Sequence, residues 1–320
     1  MSVALMLISL AAAEADPPIL VTAARAPVGL SEFGGSVTII DAADIERLQV
    51  PLLLDVLRLQ PGIGFSRNGG PGGFTAVRIR GAEGEQTTLV IDGVKVADPA
   101  APGGGYDFAQ LSVAQVERVE ILRGPQSLAW GSQAIGGVIS VETEGPTADW
   151  RADALAEGGT RGTAAARGSV SGTIGRLSLS IGANGMQTDG ISAFAESRGA
   201  TERDDFGSWG VNARGEVRLL DWLSADLRGR FQQSDFGIDG FPPPTFSLAD
   251  TAERTQSREI AASAGLVGRG TGWRARLVWQ ISDIDRANRR PGATPEETFL
   301  SNGRLTRWDG RGEWDVSRWL

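Results

Sequence analysis

From residue 149 onward the chain alternates apolar and polar residues with a period of two. Leu177, Leu179, Ile181 and Ala183 stand against Ser178, Ser180, Gly182 and Asn184, and Leu223, Ala225, Leu227, Gly229 and Phe231 stand against Ser224, Asp226, Arg228 and Arg230. Trp273, Ala275, Leu277, Trp279 and Ile281 repeat the pattern. A period of two puts alternate residues on opposite faces of a strand, so each run predicts a strand with one apolar face. Tight turns are predicted near 174–176, 219–222 and 269–273, and long polar connections at 187–207 and 234–256. Long alternating strands, joined in turn by short and long connections, predict about eight antiparallel strands of a transmembrane β-barrel. A soluble β-sandwich also alternates, but its strands are usually about 5–6 residues long. Eight of the nine tryptophans follow residue 149, several at strand ends, where an aromatic girdle at the membrane interface belongs.

The preceding segment reads differently. Ser36–Ile40 is a predicted strand and Asp41 an N-cap for the helical turns of AADIERLQ. Pro51 opens a second helix, LLLDVLRL, which Pro61-Gly62 ends, with Leu52, Leu53, Val56 and Leu57 on one core-facing side. Thr75–Arg80, Leu89–Val96 with a hairpin at Asp92-Gly93, Val116–Leu122 and Ala134–Val141 are strands of a small mixed sheet. Residues 36–145 are thus an α+β domain and 146–320 the start of a barrel.

Composition narrows the chemistry. The chain has 320 residues, a net charge of −8 and neither Cys nor His. Acidity without a basic run excludes a nucleic-acid partner. Without thiol or imidazole there is no zinc site built on those ligands and no Cys or His general base, which removes most hydrolase mechanisms. Residues 3–13, VALMLISLAAA, followed by Ala-Glu-Ala, read as a signal peptide over 1–15, although no Lys or Arg precedes Arg25. No apolar run is long enough for a transmembrane helix, so any membrane crossing must be made by strands.

Four motifs occur in order: ILVTAAR at 19–25, VRIRG at 77–81, TTLVIDGVKV at 87–96 and VERVEILRGPQSLAWGSQAIGGVISVET at 116–143. Together they resemble the TonB-dependent outer-membrane receptors, in which an LRGP turn and a GSxAIGGVI strand close the plug domain just before the barrel. The resemblance implies a plug followed by barrel strands, no enzymatic activity, residence in the outer membrane as a monomer among its lipids, and active uptake of a scarce chelate. A barrel able to hold a plug needs about 22 strands, so the barrel here is expected to be incomplete. The segment 16–35 would carry the coupling box, with Ile19, Leu20, Val21, Thr22 and Ala23 joining TonB by strand addition.

The same resemblance implies that Arg80 and Arg123, which precede the motif glycines, meet carboxylates on the barrel wall. The Gly-rich segments SRNGGPGGF (66–74) and DPAAPGGGYD (98–107) match the apical loops, making Asn68, Phe74 and Tyr106 the expected ligand contacts. The wording of the plug is nearest to receptors for cobalamin, with a ferric-siderophore receptor of the same fold as the alternative and an outer-membrane barrel enzyme a remoter one. No cofactor is expected beyond calcium. Cobalamin receptors order their long loops with that ion, and Asp189, Asp204, Asp205, Asp235 and Asp239, with Glu202 beside them, supply the oxygen ligands it needs.

Overall fold

The computed structural model describes residues 19–20, 28–30, 33–98, 101–242, 244–291 and 296–315. The expected signal peptide, 1–15, and Val21, Thr22 and Ala23 of the expected coupling box lie outside them. Ile19–Leu20 (β1) pairs antiparallel with Val28–Gly29 (β2).

The plug follows. Ser36–Asp41 (β3) leads into the helix Ala42–Leu48 (α1), where the Asp41 side chain accepts the Asp44 N–H at 2.8 Å and so caps the helix, as its sequence predicts. The short helix Leu53–Leu57 (α2) buries Leu53, Leu54, Val56 and Leu57. Ile63–Arg67 (β4) and Thr75–Ile79 (β5) form a separate hairpin around the first Gly-rich segment, so the strand at Thr75 does not join the mixed sheet as expected. Sequence reading missed β4 because Phe65 and Ser66 are both exposed and nothing alternates. The main sheet is built from Thr87–Ile91 (β6), Val94–Val96 (β7), Val116–Arg123 (β8) and Gly137–Thr143 (β9), with the helical turn Ser127–Trp130 (α3) between the last two. Its order is β3-β8-β9-β6-β7, parallel only between β6 and β9. β9 starts at Gly137 rather than Ala134, since Ile135 and Gly136 bend into the strand and Gly137 takes a positive φ of 153°. Phe108, Ile79, Leu89, Ile121 and Ile139 are fully buried at the centre.

Eight strands then pair antiparallel in chain order: Arg151–Gly158 (β10), Ala164–Ile174 (β11), Leu177–Thr188 (β12), Phe206–Leu220 (β13), Leu223–Gly240 (β14), Ala249–Gly270 (β15), Trp273–Arg290 (β16) and Glu296–Trp314 (β17). Among the described residues β10 pairs only with β11 and β17 only with β16, so the sheet is an open arc with the plug against its inward face. The tight turns fall at 175–176, 221–222 and 271–272, as expected. At the other end β14 and β15 run on to Gly240 and from Ala249, so the second long connection is only 241–248. The residues expected to be loop there, such as Asp235 and Arg254, alternate in and out of a ladder that continues above the membrane.

The burial of these strands is inverted relative to a soluble protein. Ile181, Leu227, Leu266 and Leu277 are 45%, 56%, 46% and 51% exposed, whereas Ser180, Gln232, Ser234, Ser263 and Ser282 are buried. A sandwich would bury the apolar face, and this sheet turns it outward, as a lipid-facing wall does. On β14 the outward apolar set runs from Leu223 to Phe231, then gives way to Gln233 and Asp235. Eight steps of about 3.4 Å at a tilt of about 40° span about 21 Å, close to the apolar height of an outer-membrane barrel. Trp150, Trp222, Trp273 and Trp314 mark the turn end of the wall, Trp222 lying 6.2 Å from Trp273, and Trp209 packs on Phe231 at 4.9 Å on the opposite rim.

Candidate functional site at the plug and wall

The plug is held by polar contacts, and along β11–β16 their polarity is the reverse of the expected one. The arginines that cross the seam stand on the wall and meet carboxylates and carbonyls of the plug, while the plug's Gln115 and Tyr106 donate in the other direction. Arg228 donates to the Asp92 carbonyl at 2.6 Å, Gln280 to the Gly93 carbonyl at 2.9 Å, and Arg214 bonds the Thr143 carbonyl and pairs with Asp92 at 3.4 Å. The Asp92-Gly93 turn is thus gripped by three wall strands. Gln115 donates to the Gly168 and Ala183 carbonyls at 2.9 and 3.0 Å and accepts from Asn212 at 2.9 Å. A Cβ at Gly182 would collide with that Gln115 amide, which explains the glycine in mid-strand. Ser234 donates to Gln110 at 2.6 Å.

Arg123 lies within the plug instead, donating to the Pro61 carbonyl at 3.0 Å and to Thr38 Oγ1 at 2.7 Å. Burial and the neighbouring Arg80 hold its pKa below the ordinary arginine value. Arg80 is exposed beside it with a positive φ of 54°. Neither reaches a wall carboxylate among the described residues; Arg123 ties the Gly62 turn to β3 and β8, and the Arg80 backbone N–H donates to the Gly62 carbonyl at 2.7 Å. The wall residues that do grip the plug were legible only as polar positions on the inward face of alternating strands, without a partner to single them out.

At the loop end, plug and wall enclose a cavity of about 940 Å³. Its floor is the apical segment with Asn68, Gly69, Gly70, Gly73 and Phe74, and its sides come from Ile191–Ala193, Phe236–Phe241 and β15–β17. Asn68 and Phe74, the expected ligand contacts, line this cavity. Tyr106 does not: it is 5% exposed, packs edge-on against Phe108 with centroids 5.3 Å apart, and donates its hydroxyl to Glu259 Oε2 at 2.8 Å. The second Gly-rich segment folds down against β15, turning its one aromatic ring into the seam. Burial and the Glu259 charge raise the Tyr106 pKa well above the phenol's usual range, so it remains a donor. Four acids, Asp107, Asp204, Asp239 and Glu253, line the cavity with two arginines, Arg286 and Arg290. Both arginines are already paired, Arg286 with Asp98 and Asp107 and Arg290 with Glu296.

The five aspartates expected to bind a cation separate in the structure. Asp205 and Asp235 both pair with Arg254, and Asp189 pairs with Arg203 at 3.6 Å. Asp239 instead joins Glu202 and Asp250, with one carboxylate oxygen from each within 4.8 Å of the others. Asp204 is 1% exposed, and its Oδ1 has no hydrogen-bond partner, while its Oδ2 accepts the Ala193 N–H at 2.7 Å. Burial first, then Asp204, Asp239, Asp250 and Asp205, push the Glu202 carboxyl up to about 7. Asp250 was missed because it sits at the foot of β15 rather than in a visible acidic run.

A small α+β domain seated by wall arginines against an apolar-outward sheet defines a plug and its barrel strands. Residues 30–138 match the family model of the TonB-dependent Receptor Plug Domain. It is 28% identical over 248 residues to the vitamin B12 transporter BtuB of Photobacterium profundum, covering 77% of this chain and 39% of that protein. It is 40% identical over 130 residues to the BtuB of Vibrio vulnificus, covering 41% and 21%. Among solved structures, the ferripyoverdine receptor of the outer membrane of Pseudomonas aeruginosa superposes with a TM-score of 0.71 at 16% identity, covering 91% of this chain and 41% of that one. The siderophore receptor PirA of Acinetobacter baumannii gives 0.68 at 19%, covering 86% and 44%. These structures share the fold. The chain spans less than half the length of each of these four proteins.

Proposed function

We propose that this chain forms the plug and opening barrel strands of an outer-membrane receptor for TonB-coupled uptake of a bulky metal chelate, cobalamin in the first place. The observation that carries the ligand class is the mouth cavity. At about 940 Å³ it lies at the upper end of small-molecule pockets, and Phe74 with the backbone of the glycines beside it offers an adaptable floor. Its lining has two more acids than bases, and its arginines are engaged, which disfavours a polyanionic catecholate and suits a neutral or cationic corrinoid. The two vitamin B12 transporters support the same choice at the level of sequence. Asn68 and Phe74 are the ligand contacts on this reading.

Glu202, Asp239 and Asp250, with the unpartnered Asp204 oxygen, would hold Ca²⁺ and brace the two loops that roof the cavity. The segment Ile19–Arg25 would deliver TonB's pull by adding as a strand to the partner's sheet. Titration of cyanocobalamin into the detergent-solubilised full-length protein, with calcium and then with chelator, tests both parts. Tight binding that weakens on chelation is expected. Binding indifferent to chelation removes the calcium, and no binding in either condition moves the ligand to a ferric siderophore.

A further inference from the structure

Arg286 occupies a position that the uptake reading leaves unused. It stands on the inward side of β16, 16% exposed, and lines the side of the mouth cavity. One terminal nitrogen reaches Asp98 Oδ2 and the other Asp107 Oδ2, each at 3.3 Å. These two aspartates are the first and last residues of the second Gly-rich segment, so a single guanidinium clamps both ends of it to the wall. Asp107 also reaches the other apical segment. Its Oδ1 accepts the Thr75 N–H at 2.9 Å, and Thr75 Oγ1 in turn donates to the Gly73 carbonyl at 2.9 Å. Gly73 and Phe74 floor the cavity. A continuous path of direct bonds therefore runs from cavity floor to Asp107, Arg286 and Asp98.

The clasp is built to be exchanged. Charge-assisted bonds are usually about 2.7–2.9 Å long, so contacts at 3.3 Å are short of their full strength. Two carboxylates, 2% and 6% exposed, share one cation. If the guanidinium leaves, like charges remain together in a poorly solvated seam and drive the segment off the wall. Resting on the uptake reading for its ligand, we propose that Arg286 is the positioning residue that couples occupancy of the mouth to the plug: a ligand seated on Phe74 that donates to Asp107 takes the place of the guanidinium and releases residues 101–107 from the barrel.

Amide hydrogen exchange of residues 101–110 in the detergent-solubilised full-length protein tests this without ligand. Arg286→Gln is expected to speed exchange there at least tenfold while the barrel stays heat-modifiable. Adding Asp98→Asn and Asp107→Asn to it is expected to return exchange to within threefold of the wild type, a rescue that mere loss of packing would not give. Exchange in Arg286→Gln within twofold of the wild type overturns the clasp, as does failure of the triple variant to recover. Should Arg286→Gln not assemble, Asp98→Asn/Asp107→Asn alone, which takes from the half-buried cation the two carboxylates that clasp it, is expected to loosen the same segment, and unchanged exchange overturns the clasp again. With cyanocobalamin bound, the wild type is expected to exchange like Arg286→Gln; binding with no change at 101–110 overturns the coupling. Absence of cyanocobalamin binding falls on the cobalamin reading, and the ligand-free comparison still decides the clasp.

Discussion

Tyr106→Phe separates the two roles open to the chain's one tyrosine. The substitution removes only the hydroxyl, because a phenylalanine ring keeps the edge-on contact with Phe108 at 5.3 Å. What disappears is a 2.8 Å bond to the buried Glu259, whose other partner, Arg230, is 3.7 Å away. A hydrogen bond to a charged group contributes about 1.5–3 kcal/mol, and Glu259 keeps its burial with one donor fewer, so the upper half of that range applies. The seam around residues 104–110 should open more readily by that amount, which is roughly a 40- to 150-fold rise in amide exchange. Exchange mass spectrometry on the full-length receptor reads this directly, with the segment 87–91 in the sheet centre as an internal standard. Ligand affinity should change little, since Tyr106 lies outside the mouth cavity. Exchange within twofold of the wild type, together with a clear loss of ligand affinity, would refute the assignment to the seam and return Tyr106 to the ligand.

Two further outcomes follow from the wall and the loops. Leu227→Arg puts a charge in the middle of the outward apolar belt, at a position 56% exposed; in lipid this costs about 2–4 kcal/mol, against about 0.5 kcal/mol or less on a soluble surface, so the heat-modifiable fraction recovered from outer membranes should fall sharply. Undiminished assembly would mean that this face does not meet lipid. The Glu202 carboxyl, raised from 4.5 to about 7, binds its proton more tightly in the folded loops than in the unfolded chain, so without a cation the loops lose stability as pH rises from 4.5 through 7. Calcium needs the ionised form, so its affinity by calorimetry should drop about tenfold from pH 8 to pH 6, and Glu202→Gln should flatten that dependence; equal affinity at both values in the wild type would remove Glu202 from the site.

The parts of this molecule that were readable in advance are those governed by local rules. Asp41 caps its helix because its carboxylate lies within reach of the free Asp44 amide three residues on, and the period-two runs from Leu177, Leu223 and Trp273 became strands because alternation puts their four or five apolar positions on one side of an extended chain. Which side faces out is a different matter, since alternation is symmetric. Only the exposure of Leu227 and Leu277 against the burial of Ser234 and Ser282 distinguishes a lipid wall from a sandwich core. The seam between plug and wall was less legible for the same reason. Arg80 and Arg123 are conspicuous in their motifs, yet in the described structure Arg123 is spent on Pro61 and Thr38, while the cations that grip the plug, Arg214, Arg228 and Arg286, sit in strands where an inward arginine looks like any other polar position. Arg214 and its partner Asp92 are 122 residues apart along the chain, and such a pairing is fixed by the register of β13 against β12 and β14, not by any spacing in the sequence. The same geometry sorts the loop acids. Asp205 and Asp235 look identical to Asp239 in a polar stretch, but the ladder that continues above the membrane carries Arg254 between the first two, while a two-residue irregularity between Ile238 and Gly240 turns Asp239 toward Glu202 and Asp250. Charge found by composition becomes a site only where a strand's phase decides which carboxylates face a cation already present and which are left to face one another.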